Sequence, residues 1–429
     1  MSFDVINHIA KLCKFAHLSN VMTVKQARDQ FPILSTKVYG KPLIYLDNAA
    51  TSQRPKSVVS KWDTLVHESN ANIHRAVHKL AADATAEYEN TRDAVREFLN
   101  AGHREEIVFT SGATASINLV AFSFGEAFVK RGDEVIVSVA EHHSNIVPWQ
   151  MMCQRKKAHL KVLETDENGV LQPEALEKLI SHKTKIVAIA HISNVLGLVS
   201  PVRELVAISH KYGVPVLIDG AQGIVHEKVD VQDIDCDFYA FSGHKLYAAT
   251  GTGVLYGKKK WLDAMPPYMG GGEMIETVRF SGTTYAKSPA KFEAGTQNLN
   301  AVPTLVPAIE FANECRKSPE IAAEQAAITD YVLEALAKDS RIKLYGVPRR
   351  TEEKIPLFSI SVKGAHHEDL ALLLDKMGVA VRSGQMCAEP LMDHSGVTGM
   401  LRASFAPYNT LEEAKYFIEC LNKAINMLI

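Results

Sequence analysis

VPVLIDGAQG, residues 214–223, sets a nearly unbroken apolar run against an aspartate and a glycine. A run of this kind suits a strand covered on both faces in a parallel sheet. The aspartate directly behind it then stands at the carboxyl edge, where open α/β sheets hold their ligands. Working outward, EVIVSV (134–139), KIVAIAHIS (185–193) and TGVLYG (252–257) repeat the pattern and are read as further strands of the same parallel type. Between strands, PEALEKLISH (173–182) and PVRELVAISHKYG (201–213) open on proline, and the second closes on glycine, as helices do. The fold class is therefore α/β with a mainly parallel central sheet.

After about residue 300 the pattern changes. A helix-prone run over 303–338 precedes LFSISV (357–362), HEDLALLLDKMG (367–378), VAVRSG (379–384), LRASFA (401–406) and a closing helix from 410, which reads as a smaller α+β domain. The expected organisation is an extension over 1–21 with no assigned role, a segment over 22–45 packing with the small domain, a large domain over 46–302 and a small domain over 303–429. A chain of 429 residues with 46% hydrophobic content has ample material for two cores.

Forty-seven basic against 49 acidic residues give a net charge of -2 and no electrostatic reason to expect nucleic acid or an anionic membrane as partner. The six cysteines are scattered without a Cys-x-x-Cys pair, which argues against a disulfide framework or a structural zinc site. No apolar run approaches the length of a membrane span, and the N-terminus lacks a continuous apolar core behind a basic start. The expectation is a cytoplasmic protein with no metal site.

Chemistry collects at the predicted strand ends. Asp219 closes one apolar run, and Lys245 follows another, FYAF, within FSGHKLY beside Ser242 and His244. A lone aspartate there usually caps a turn and a lone lysine is usually a surface charge. Together they match the needs of pyridoxal phosphate: an amine to hold the aldehyde, a carboxylate for the ring nitrogen, and hydroxyl and imidazole donors for the phosphate. TSGATASINLVA (110–121) runs a small-residue turn into a helix, so Thr114 and the free N–H groups of the first turn can face an anion. EHHSNIVPW (141–149) follows EVIVSV and offers an imidazole to lie on a ring and shuttle protons near neutral pH; position favours His142, but spacing does not separate it from His143. In VRSGQMCAEPLM (381–392), Cys387 occupies a loop near Arg382, where an accessible thiolate can act as nucleophile. Arg402 in LRASFA is suited to a bidentate grip on a carboxylate.

EHHSNIVPW, SNVLG, IDGAQ, FSGHK, FEAGTQN, RSGQMCAEPLM and LRASFAPYN, in this order along the chain, resemble the group II cysteine desulfurases and selenocysteine lyases of the SUF iron–sulfur assembly system, from about residue 23 to the C-terminus. The resemblance implies the aspartate aminotransferase-like fold type I, a homodimer and pyridoxal phosphate. It implies Lys245 as the cofactor lysine, Asp219 at the ring nitrogen, Gln222 and Asn194 on the ring hydroxyl side and His142 stacked on the ring. Thr114, Ser242 and His244 would hold the phosphate, with Thr296 reaching in from the other subunit. Arg402 and Arg382 would serve the substrate carboxylate, and His74 and Arg75 match a family segment near the mouth of the site. Cys387 would take sulfur from L-cysteine, or selenium from L-selenocysteine, leave alanine, and pass the persulfide to a SufE-like or SufU-like acceptor. Gln385 and Met386 depart from the family, which often has two histidines there; Ala248–Thr250 and Gln297 depart without removing a cofactor contact. Two other readings stand beside this one. Another class V enzyme, an aminotransferase or kynureninase-like hydrolase, would have no use for a reactive Cys387; a non-catalytic sulfur-binding adaptor should have lost one of Lys245, Asp219, Cys387 or Arg402.

Overall fold

The computed structural model describes residues 21–346 and 353–429. The extension expected over 1–21 therefore falls, but for Val21, outside the described residues, as does Cys13.

The central sheet has seven strands: β1 (Ile107–Thr110), β2 (Glu134–Ser138), β3 (His159–Leu163), β4 (Thr184–Ala190), β5 (Val216–Asp219), β6 (Phe238–Ser242) and β7 (Gly253–Gly257). Their spatial order is β1-β7-β6-β5-β4-β2-β3. Strands β2 to β6 pair in parallel. Val216, Leu217 and Ile218 of β5 are fully buried, as expected where helices cover both faces.

The run TGVLYG corrects one expectation. It forms β7, but antiparallel to both neighbours, β1 and β6. Only residues 243–252 link β6 to β7, too short a stretch to carry the chain back to the start of the sheet, so the strand folds back. The glycine at its start is required: a Cβ on Gly253 would lie 2.3 Å from the Gly112 Cα, where the turn into helix α1 (Ala113–Phe128) crosses the sheet end.

The second sheet is antiparallel, in the order β8 (Ile342–Tyr345), β9 (Leu357–Val362), β11 (Met400–Ser404) and β10 (Arg382–Gly384). Helices Pro319–Ala337, His367–Lys376 and Leu411–Leu428 cover it, with Leu370, Leu374, Phe417 and Leu421 in the shared core. Two further expectations are adjusted. The helical run 303–338 is two helices, Leu305–Arg316 and Pro319–Ala337, divided where Ser318 caps the second and Pro319 cannot continue the first. VAVRSG is not one strand: Val379–Ala380 pairs in parallel with Ile44–Tyr45, while Arg382–Gly384 turns into the second sheet.

The two sheets are tied together through SNVLG. Four successive carbonyls of this loop accept hydrogen bonds from the second unit: Asn194 from Arg402 Nη1 at 2.8 Å, Val195 from Ser359 Oγ at 2.6 Å, Leu196 from Lys354 Nζ at 2.6 Å and Gly197 from the Ile355 N–H at 2.9 Å. Gly197 has a φ of +65°, and a Cβ there would come within 2.8 Å of the Leu357 carbonyl oxygen, so the close approach needs glycine.

Candidate active site

The carboxyl ends of β4, β5 and β6 open into a cavity of about 180 Å³. Asp219, Lys245, Arg402 and Cys387 all line it, so groups from both sheets meet in one space. Gln222, Asn194, His142, Thr114, Ser242, His244 and Arg382 line it too. Among the described residues, no cluster of His, Cys, Asp and Glu is arranged to hold a metal ion.

Asp219 is 5% exposed, and its Oδ1 accepts a 3.0 Å hydrogen bond from the Ala221 N–H. Burial raises its pKa from the usual carboxylate range, and the charge of Lys245 opposes the rise. Lys245 is brought down to about 8 by desolvation, against the pull of Asp219, with Arg402 pushing the same way as burial. An amine at that value can give up and regain a proton near neutrality.

The start of α1 faces the cavity beside Ser242, whose Oγ accepts the Ala113 N–H at 2.8 Å. His244 lies next to it, with Nδ1 3.1 Å from Thr51 Oγ1, and burial together with the charge of Lys245 lowers it to about 4. Gln222 is held by a 2.8 Å bond from Nε2 to the Ala49 carbonyl. Open N–H groups at a helix start, flanked by hydroxyls, form a phosphate seat. Asp219, a buried carboxylate with no ion pair among the described residues and the charge of Lys245 nearby, suits a pyridinium N–H. These residues fit pyridoxal phosphate.

Of the two adjacent histidines, His142 lines the cavity and His143 does not. The Ser144 N–H donates to His142 Nδ1 at 3.1 Å, which leaves the ring proton on Nε2. Burial first, then the charge of Lys245, lowers His142 to about 3. A ring held below its usual value is neutral at rest, and it presents a flat face and an Nε2–H to the cavity. Behind it, Glu141 is fully buried and accepts from the Ala190 N–H at 2.9 Å and Asn145 Nδ2 at 2.7 Å, tying the turn to the end of β4.

Arg402 is 2% exposed; Nη2 reaches Asp47 Oδ1 at 3.1 Å, and the buried Nε has no hydrogen-bond partner among the described residues. Asp47 also draws Arg382, whose Nη1 lies 3.8 Å from Oδ2. Cys387 is exposed, at the cavity rim, with φ +55°, and Met386 before it has φ +54°. Met386 is 4% exposed and packs with Ala140, Val195 and Met392, an apolar plug directly before the thiol. Gln385 points to solvent and donates to Glu389 Oε1 at 3.1 Å.

Three expected residues do not line this cavity. His74 is exposed and its Nε2 lies 3.2 Å from Glu89 Oε1, and neighbouring Arg75 pairs with Glu273 at 2.7 Å. Thr296 is exposed outside the cavity; the expectation for it concerned a second copy of the chain. Sequence reasoning overlooked Asp47, Glu141 and the role of His143. The doubled histidine was the one visible sign of the last.

A family model described as aminotransferase class-V matches residues 44–417. A probable cysteine desulfurase of Vibrio cholerae is 42% identical over 408 residues, 95% of this chain and 100% of the relative. Among solved structures, the cysteine desulfurase CsdA of Escherichia coli superposes with a TM-score of 0.86 at 39% identity, over 96% of this chain and 100% of the other. The apo cysteine desulfurase of Thermococcus onnurineus gives 0.89 at 35% identity over the same shares, 96% and 100%.

Proposed function

The chain belongs to the class V aminotransferase family and is a pyridoxal-phosphate-dependent cysteine desulfurase, and from this premise we propose that Cys387 is the residue that takes the sulfur, as a persulfide. The observation that carries the proposal is the shared cavity: a desolvated amine, a buried carboxylate, a buried guanidinium and an exposed thiol line one space.

In this reading the N–H groups opening α1, with Thr114, Ser242 and His244, hold the phosphate. Asp219 pairs with the ring nitrogen, Gln222 and Asn194 attend the ring hydroxyl, and His142 covers the ring face. When bound, the cofactor supplies an electron sink next to the substrate's α-carbon. Arg402, supported by Arg382, receives the carboxylate of L-cysteine and so fixes which way its side chain points. Lys245 Nζ moves the proton at the α-carbon, a task suited to its value of about 8. Cys387, as thiolate, attacks the substrate sulfur; an S–S bond forms as the Cβ–S bond breaks. That electron pair stays with the three-carbon fragment, which takes up a proton and leaves as alanine.

Because Cys387 is exposed while lining the cavity, its persulfide is open to a SufE-like or SufU-like acceptor serving iron–sulfur cluster assembly. L-selenocysteine, with its better leaving group, is a second substrate of the same site. A homodimer is part of the proposal; Val278 and Phe280, 63% and 116% exposed on the hairpin Ile275–Tyr285, are apolar surface that a second copy would cover.

Cys387→Ser tests the reading. Sulfide and alanine production from L-cysteine should fall by about a hundredfold or more while the absorbance of the lysine-bound cofactor persists. Sulfide production at the wild-type rate would reject Cys387 as acceptor and favour a class V enzyme of another activity.

A further inference from the structure

Residues 385–389 hold the thiol in an unfavourable backbone shape. Met386 and Cys387 are consecutive non-glycine residues in the left-handed region, a conformation that persists only where its surroundings over-determine it. Met386 is anchored by its buried side chain and by its carbonyl, which accepts Asn194 Nδ2 at 2.9 Å. The Ala388 N–H closes the turn on the Gln385 carbonyl at 2.9 Å, and further hold from outside the loop comes from His143. Its backbone N–H donates to the Cys387 carbonyl at 2.7 Å, and its Nε2 accepts the Glu389 N–H at 2.9 Å.

The second bond fills a gap. Glu389 opens the helix Glu389–Ser395, whose N-cap residue, Ala388, has no side-chain acceptor for the first N–H groups. His143 supplies that acceptor from 246 positions away in the sequence. One residue thus holds the peptide groups on both sides of Ala388, directly after the thiol. The acceptor role also sets the ring's state: Nε2 must be unprotonated to receive an N–H.

We propose that His143 is a positioning residue for sulfur transfer, fixing the backbone on the C-terminal side of Cys387 so that the thiol faces the cavity instead of swinging into solvent. His142 and His143 then divide the labour of the doubled histidine, the first lying at the cofactor side and the second holding the nucleophile loop. The inference rests on Cys387 being the sulfur acceptor, but its structural core can be judged apart from that reading.

The test uses the holoenzyme with His143→Ala and His143→Gln, because glutamine Oε1 can accept the N–H that Nε2 accepts. The expected result for His143→Ala is a fall of about tenfold in kcat with KM for L-cysteine within about twofold, and substantial recovery in His143→Gln. Alkylation of Cys387 by iodoacetamide, followed by peptide mass, should rise severalfold in His143→Ala and return towards wild type in His143→Gln. Wild-type kcat and alkylation in His143→Ala would overturn the proposal, as would equal losses in the two variants. If His143→Ala does not fold, the wild-type protein still decides: slow amide exchange at Glu389 supports the cap, and exchange at the rate of an open amide overturns it. Should Cys387→Ser retain full desulfurase activity, the premise about the acceptor fails, while Glu389 exchange and Cys387 alkylation still report whether His143 holds the loop.

Discussion

Lys245 and Cys387 reach one cavity from regions built on opposite plans. Lys245 leaves the end of β6, and the three residues after it, Leu246, Tyr247 and Ala248, are at most 1% exposed, so the chain itself and the core beneath it set where the amine points. Cys387 stands on an exposed loop whose backbone is strained and whose restraints include hydrogen bonds from residues 192 and 246 positions away. On the proposed reading Lys245 is a covalent anchor, which can be embedded in the core. Cys387, proposed as a nucleophile that meets both a substrate and a protein acceptor, has to stand at the rim, so its precision comes from side chains reaching across.

If the two regions are separate devices, damage to one should leave the other intact. Lys245→Ala is expected to lower desulfurase activity by more than about a thousandfold and abolish the lysine-bound cofactor absorbance, with Cys387 alkylation within about twofold of wild type. A large change in alkylation would show that the thiol loop depends on the anchor and would break the contrast.

A smaller effect is expected where the regions touch. Asn194→Ala keeps the carbonyl that accepts Arg402 but removes the amide that holds Met386, so sulfur transfer should fall by about tenfold, with increased Cys387 alkylation. Unchanged transfer would mean that His143 and the buried Met386 side chain suffice.

The smallest effect concerns Lys354, which ties the SNVLG loop to the second sheet. It is 5% exposed, its Nζ donates to the Leu196 and Gly346 carbonyls at 2.6 and 2.9 Å, and burial lowers it to about 7. Between pH 7 and the value of about 10.5 for an unfolded lysine, the unfolded chain holds the extra proton, so this group makes stability rise with pH across that window. Below about 7 the amine is charged in both states and the desolvation penalty is present in full. Urea unfolding from pH 6.5 to 9 should show this rise in the wild type and a flatter profile in Lys354→Met. Parallel profiles would remove Lys354 as the titrating group.

The sequence made much of this legible, unevenly. LFSISV is strand β9 residue for residue, and Asp219 and Lys245 sit where the apolar runs said they would, because a buried strand writes its burial into consecutive residues. TGVLYG carried the same signature yet runs the other way, since composition reports that a strand is buried and not its direction. His143 was indistinguishable from His142: adjacent residues share their local pattern, and what separates them is which loop folds against each.

What the chain determined by itself was therefore local: which segments are strands, which residues stand at their ends, and which side chains own the chemistry for an amine, a carboxylate and a thiol. What only the tertiary structure decided was convergence: that SNVLG ties one sheet to the other, that Asp47 sits between two arginines, and that His143 grips a loop 246 residues distant. The physical reason is range. Periodicity and turn chemistry act over a few residues, whereas a hydrogen bond between distant segments depends on both being folded and leaves no trace in the order of residues around either one.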